Sequence, residues 1–216
     1  MASVVVTGSA AQLVQPDRAV IGLGLSVVAR DAATALDQVS ERSATLRDRL
    51  AGLGFGAGDW VTDGVTVAEE WEYRRDQNTL IGHRASTAVT VTVEQLDRLA
   101  PLVRLAVGDA GAQVRDLVWE VDRDHPARTE LLGRAARDAR RRAEAYTGAL
   151  GLQLGAVELI SEAPIGAVPG LQPYGDAMPM ARAMKAQAAP DLAVSGGRIE
   201  LTAEVHLRFA ILPSGG

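Results

Sequence analysis

Residues 199–211 read IELTAEVHLRFAI and alternate apolar and polar side chains without a break. A period of two is typical of a β-strand with one buried face and one solvated face. Such strands occur in antiparallel sheets that are covered on one side only. This segment therefore predicts an α+β fold, built mainly on antiparallel sheet with helices packed on one face.

A short apolar run at 4–8 and weaker alternation elsewhere predict the other strands. The expected segments are 4–8, 19–30, 61–73, 85–93, 114–121 and 157–161. The segments 61–73 and 85–93 flank the turn residues Asp76, Gln77 and Asn78, which indicates a long hairpin.

Three- and four-residue apolar spacing predicts three helices, over 32–53, 94–109 and 127–150. Asp31 precedes the first helix and is expected to cap its free amides. Asp124 stands two residues before Pro126, so the same role is expected for it at the third helix.

The predicted elements repeat in the order strand, helix, strand, strand. The first repeat covers residues 16–93, the second covers 113–212, and the helix at 94–109 joins them. One helix on three strands buries little core by itself, so both repeats are expected to form one domain over 3–212. An insert at about 163–197 holds five of the nine prolines and three of the four methionines, and we expect it to be flexible.

Composition excludes several classes of protein and of site. The 216 residues contain no cysteine, which excludes disulfides, a thiol nucleophile and cysteine-based zinc sites. A net charge of −5 and 4% aromatic residues argue against a nucleic-acid partner. No apolar run approaches the roughly 20 residues of a transmembrane segment. Because no signal peptide is visible at the first residues, the sequence as written predicts a cytoplasmic protein. The alternative is a periplasmic or exported protein whose leader has been removed.

Short motifs occur in an order that resembles the SIMPL-domain family, also called DUF541. The motifs are Val6-Thr7-Gly8, Pro16-Asp17, Gly82-His83-Arg84-Ala85, Val89-Thr90-Val91, Gly111-Ala112, Ala136-Arg137-Asp138-Ala139-Arg140, Leu150-Gly151 and Leu154-Gly155. The resemblance covers residues 3–212 and implies an α+β protein of bacteria, often exported. Some members form large oligomers, and some are linked to oxidative-stress tolerance. The family has no established catalytic residues to carry over. Our chain departs from it at His83, where the family usually has tyrosine, and in lacking a visible export signal.

No residue pattern in the chain indicates an enzyme. His83, His125 and His206 are far apart and form no i, i+4 pair, so we expect no catalytic or metal role for them and no cofactor. Four glycines between 52 and 58 follow a helix, whereas phosphate-binding loops follow a strand and open a helix.

Three surfaces are candidate interfaces between subunits. Trp71 and Tyr73 lie on an acidic hairpin, Arg137 and Arg141 on an arginine-rich helix, and Met178 and Met180 in the insert. Each has a second interpretation as an ordinary solvated surface or, for the methionines, a mobile linker. Aromatic and arginine side chains often anchor interfaces, and methionine adapts to irregular apolar partners.

These observations predict a non-enzymatic interaction protein that assembles into a homo-oligomer, in envelope or oxidative-stress physiology as the resemblance implies. The alternative is a small-ligand-binding protein with a pocket between the two repeats, near Arg84 or Trp119. An enzyme of unknown type is the third possibility, and the absence of a base and nucleophile pair argues against it.

Overall fold

The computed structural model describes residues 2–74, 77–165 and 196–213. These residues divide into two compact units. We call them the terminal unit, with residues 2–15, 121–165 and 197–213, and the central unit, with residues 16–74, 77–120 and 196. The predicted single domain over 3–212 stays a prediction, and most of the predicted insert lies outside the described residues.

The described elements are numbered in chain order. The strands are β1 (Ser3–Val14), β2 (Arg18–Ala29), β3 (Trp60–Thr62), β4 (Thr66–Arg74), β5 (Gln77–Val93), β6 (Gln113–Glu120), β7 (Leu152–Ser161) and β8 (Ile199–Pro213). The helices are α1 (Ala32–Gly52), α2 (Leu99–Gly108) and α3 (Pro126–Ala149), with a 3-10 turn at Leu96–Arg98 before α2.

The terminal unit is a three-stranded antiparallel sheet in the order β1-β8-β7, with α3 on one face. The apolar residues of β8 are buried there, Phe209 most deeply. The buried side of α3 consists mainly of alanines, including Ala135 and Ala139. Because these side chains are small, the helix approaches β1 closely. A Cβ at Gly8 would overlap the Ala135 carbonyl oxygen and the Ala139 amide nitrogen.

The central unit is an antiparallel sheet in the order β3-β5-β2-β6, with β4 also paired to β5. Its core joins alternate residues of β2, such as Ile21 and Leu23, to Leu46 of α1 and Leu102 of α2. The predicted cap of α1 is confirmed, because the Asp31 side chain accepts a hydrogen bond from the Thr34 amide at 2.8 Å.

The α+β class predicted from the alternation is confirmed, with every strand pair antiparallel. The strand expected at 4–8 extends over Ser3–Val14, the strand expected at 61–73 is divided into β3 and β4, and the helix expected at 94–109 begins at Leu99. Two further differences concern the second repeat. The strand assigned to the start of the second repeat is β6, and it pairs with β2 of the first. The predicted cap of α3 by Asp124 is wrong, because His125 Nδ1 accepts the Ala127 amide at 3.2 Å, while the Asp124 amide donates to Asp122.

Candidate functional site

The hairpin formed by β4 and β5 continues past the end of β2. The last pair between β2 and β5 joins Ala29 to His83, whereas β4 and β5 remain paired as far as Arg74 and Gln77. We call residues 70–74 and 77–82 the ribbon. Among the described residues no third strand pairs with it.

A β-bulge lies at the base of the ribbon. Glu70 pairs with Gly82 and Trp71 pairs with Leu80, which leaves Ile81 as the extra residue. Gly82 has a φ of +149°, a conformation that side chains disfavour, and a Cβ there would overlap the Ala29 carbonyl oxygen. The bulge therefore needs glycine at this position. It also places Leu80 directly opposite Trp71.

One side of the ribbon is apolar and open to solvent. Trp71 and Tyr73 are alternate residues of β4 and therefore share a side, with Leu80 opposite Trp71. Their exposed fractions are 54%, 68% and 44%. The structure thus brings together the two aromatic residues predicted as interface residues and adds Leu80, which the sequence analysis did not single out.

An ion pair joins the base of the ribbon to the central sheet. Arg84 donates to both carboxylate oxygens of Glu70, from Nε at 2.8 Å and from Nη2 at 2.6 Å, and its Nη1 donates to Ser26 Oγ of β2 at 3.0 Å. The hydrogen bonds from Arg84 lower the pKa of the Glu70 carboxyl, and in return Glu70 raises the pKa of Arg84. A two-point arginine–carboxylate contact has a defined geometry, so it orients the ribbon.

A carboxylate adjoins the apolar side of the ribbon. Glu69 lies on the same side of β4 as Trp71, and its Oε2 accepts the indole Nε1–H at 3.2 Å. The surface therefore combines two aromatic rings with an acidic group. Arginine is the natural complement of such a surface, because its planar cation stacks on rings and pairs with carboxylates.

An arginine-rich surface lies on α3 in the terminal unit. Asp138 accepts hydrogen bonds from the Ser9 amide at 3.2 Å and from Arg141 at 3.0 Å, and it forms an ion pair with Arg142 at 3.0 Å. The Ser9 amide bond, followed by the contact with Arg141, lowers the pKa of the Asp138 carboxyl. Arg137 is exposed, and within the described part of the chain no carboxylate lies within ion-pair distance of it. Arg137 and Arg141 are thus both exposed residues of α3.

The three histidines each have local partners. His83 Nδ1 lies 3.4 Å from the Arg30 carbonyl oxygen, and His125 caps α3. His206 is one of the polar residues that alternate with apolar ones in β8, yet its side chain is only 11% exposed. Its Nδ1 lies 2.9 Å from Thr7 Oγ1, and its Nε2 lies 3.2 Å from a Glu204 oxygen.

Two open depressions lie on the surface of the described residues. One has a volume of about 400 Å³ and is lined by Arg128, Glu162 and Glu204 among others. The second has about 320 Å³ and lies beside Trp60 and Arg47. Neither contains Arg84 or Trp119, the residues named for a ligand pocket between the repeats, and that pocket stays a prediction.

In the ranges 2–74, 77–165 and 196–213, no group of three histidine, aspartate or glutamate residues is arranged to hold a metal ion. None of the described helices combines the length and hydrophobicity that a membrane crossing requires. Met178 and Met180 lie outside the described residues. Of the six predicted interface residues, the structure therefore describes the four on β4 and α3.

Residues 4–209 match the family model SIMPL, described as "Protein of unknown function (DUF541)". The chain is 32% identical over 155 residues to "Uncharacterized protein YggE" of Edwardsiella ictaluri, covering 71% of this chain and 65% of that relative. It is 28% identical over 187 residues to the Escherichia coli K12 protein of the same name, covering 87% and 73%. This chain thus spans just under two thirds of the first relative's length.

A solved hydantoinase/carbamoylase family amidase from Burkholderia ambifaria aligns with 58% of this chain and 34% of its own. Its TM-score of 0.27 and identity of 19% are too low to support any argument about fold or function.

Proposed function

Because the chain belongs to the SIMPL (DUF541) family, whose function is not defined, we propose a function from its own surface: a non-enzymatic protein that assembles with copies of itself. The observation that supports this most is the ribbon, which presents Trp71, Tyr73 and Leu80 to solvent on one side. Its cellular setting, envelope or oxidative-stress physiology, is part of the same proposal and rests on the family resemblance.

The ribbon has the properties of an interface anchor. Its apolar side chains extend from a strand pair whose base is oriented by the contact between Arg84 and Glu70. A rigid base reduces the entropy lost when the side chains become ordered on binding. Trp and Tyr are the residues that most often dominate binding energy at protein interfaces.

The double substitution W71A/Y73A tests this proposal. Truncating an anchor residue typically costs at least about 2 kcal/mol, or roughly 30-fold in affinity for each residue. We expect light scattering after size exclusion to give an oligomer for the wild type and 22.7 kDa for the variant. Both side chains are exposed, so the fold and therefore the far-UV circular dichroism spectrum should not change.

The matched control is V107A, which truncates an exposed apolar residue on α2 of the same unit. It should leave the oligomer intact. A wild-type chain that stays at 22.7 kDa at low and high concentration would refute self-assembly. An oligomer unaffected by W71A/Y73A would show that the ribbon is not the interface.

A further inference from the structure

We propose that the ribbon of one copy packs on the arginine-rich face of α3 in the next copy, so that the contact joins two different surfaces. This inference rests on the proposed self-assembly and specifies which surfaces meet. Three observations carry it: the charge of each surface, the chemistry of the groups exposed on it, and the repulsion expected if either surface met its own copy.

The charge of α3 is opposite to that of the chain. The whole protein has a net charge of −5, whereas α3 contains six arginines and three acidic residues. Asp138 is shared by Arg141 and Arg142, so this cluster retains a positive charge. Arg141 is 71% exposed even with that contact.

The exposed guanidinium of Arg137 on α3 is chemically complementary to the aromatic rings of the ribbon and to the Glu69 carboxylate beside them. Arg137 contacts no carboxylate within the described residues, and it lies beside Gly133, where even an added Cβ would be 3.5 Å from its Nη1. The Arg137 guanidinium therefore lies against Gly133, and the Arg137 side chain is exposed to solvent. Trp71 or Tyr73 can stack there while Glu69 accepts from the arginine.

Contacts between identical surfaces are disfavoured on both sides. Two ribbons meeting across a two-fold axis would bring Glu69 of one near the same acidic surface of the other. Two α3 faces meeting in the same way would oppose Arg137 and Arg141 to their own copies. Like charges at an interface cost free energy, whereas ribbon against α3 pairs opposite charges.

A contact between different surfaces joins the ribbon of one copy to the α3 face of another. All ribbons and all α3 faces are occupied only when the assembly closes on itself, as a reciprocal dimer or as a larger ring. In such a closed assembly every copy donates one surface and accepts the other.

The decisive experiment mixes two variants that each lack one surface. The ribbon variant is W71A/Y73A, and the helix variant is R137E/R141E, with R137Q/R141Q as a milder form. Each alone should show assembly weakened by at least about tenfold. A mixture in equal amounts keeps one intact ribbon and one intact α3 face, so it should form a complex of twice 22.7 kDa.

The outcomes separate this inference from the proposed function. If the wild type assembles but the mixture shows only the masses of its separate components, the pairing of ribbon with α3 is overturned and self-assembly stands. If the wild type is a monomer, both fail. R47E is the control for replacing an arginine by glutamate, since it makes one such change at an exposed position on α1. It should assemble like the wild type.

A charge swap gives an independent test. Glu69→Arg should weaken assembly, because it places a cation against α3. Adding Arg137→Glu in the same chain restores opposite charges and should recover part of the lost affinity. Equal loss in the single and double variants would overturn the contact between Glu69 and α3.

Discussion

Substituting Gly8 with alanine should destabilise the terminal unit more than the same substitution at any other described glycine of that unit. An added Cβ would overlap the carbonyl oxygen of Ala135 and the amide nitrogen of Ala139, both helix backbone atoms. It would also lie 2.7 Å from the Ala139 Cβ, whereas ordinary contact begins at 3.4 Å. No rotamer change relieves these contacts, so α3 must move away from β1.

The expected loss of stability follows from the packing contacts that this displacement of α3 weakens. Overpacking a close-packed core costs typically 1–3 kcal/mol and sometimes more. The overlap here lies between the backbones of β1 and α3, and moving α3 away weakens its packing on Val6 and Phe209. We therefore expect a loss of about 3 kcal/mol in the free energy of unfolding. With a urea m-value of about 2 kcal/mol/M, the midpoint falls by roughly 1.5 M.

The assay can distinguish the units because the three tryptophans, Trp60, Trp71 and Trp119, all lie in the central unit. Tryptophan fluorescence during urea unfolding therefore reports the central unit, and the fall of roughly 1.5 M in the midpoint of the terminal unit is measured by amide exchange of α3 at increasing urea concentration. We expect G8A to accelerate exchange in α3. The control is Gly148→Ala, where no atom lies within 4 Å of the added Cβ. It should stabilise α3 by up to about 1 kcal/mol.

A wild-type rate of α3 exchange in G8A would refute the reasoning. It would mean that α3 does not approach β1 as closely as the alanine-lined contact indicates.

Two further predictions concern the terminal unit. Phe209→Ala removes a side chain that is 2% exposed and should lower the free energy of unfolding by about 3–5 kcal/mol, measured by urea denaturation with Leu212→Ala, an exposed position on the same strand, as control. Asp138→Asn should make the free energy of unfolding less dependent on pH in acid. Because the pKa of Asp138 is lowered in the folded state, its ionised carboxylate stabilises the protein fully above the ordinary carboxyl pKa of 3.8. That stabilisation is lost as the pH falls through the folded pKa. Melting temperatures between pH 2 and 6 check this at low salt, and parallel acid limbs for wild type and variant would contradict it.

Much of the local structure could be predicted because it depends on consecutive residues. The alternation at 199–211 identified β8 and its buried side, and the acidic residue before the first helix identified the Asp31 cap. The spacing of two residues between Trp71 and Tyr73 places them on one side of a strand. Period and capping are properties of a short window, so a single sequence records them.

The candidate site depended on pairings that no short window contains. Leu80 faces Trp71 only because the bulge at Gly82 shifts the register. Arg84 meets Glu70 only because β4 and β5 pair with this alignment, and the sequence shows merely that both charges exist.

The sequence by itself determined the α+β class, the strand and helix segments and the aromatic spacing of the ribbon. Only the tertiary structure decided that β6 joins β2 and that Asp138 accepts the amide of Ser9, 129 positions away in the chain. The physical reason is that hydrophobic periodicity specifies which face of an element is buried, whereas the partner of that face is chosen by packing and strand register across the whole fold.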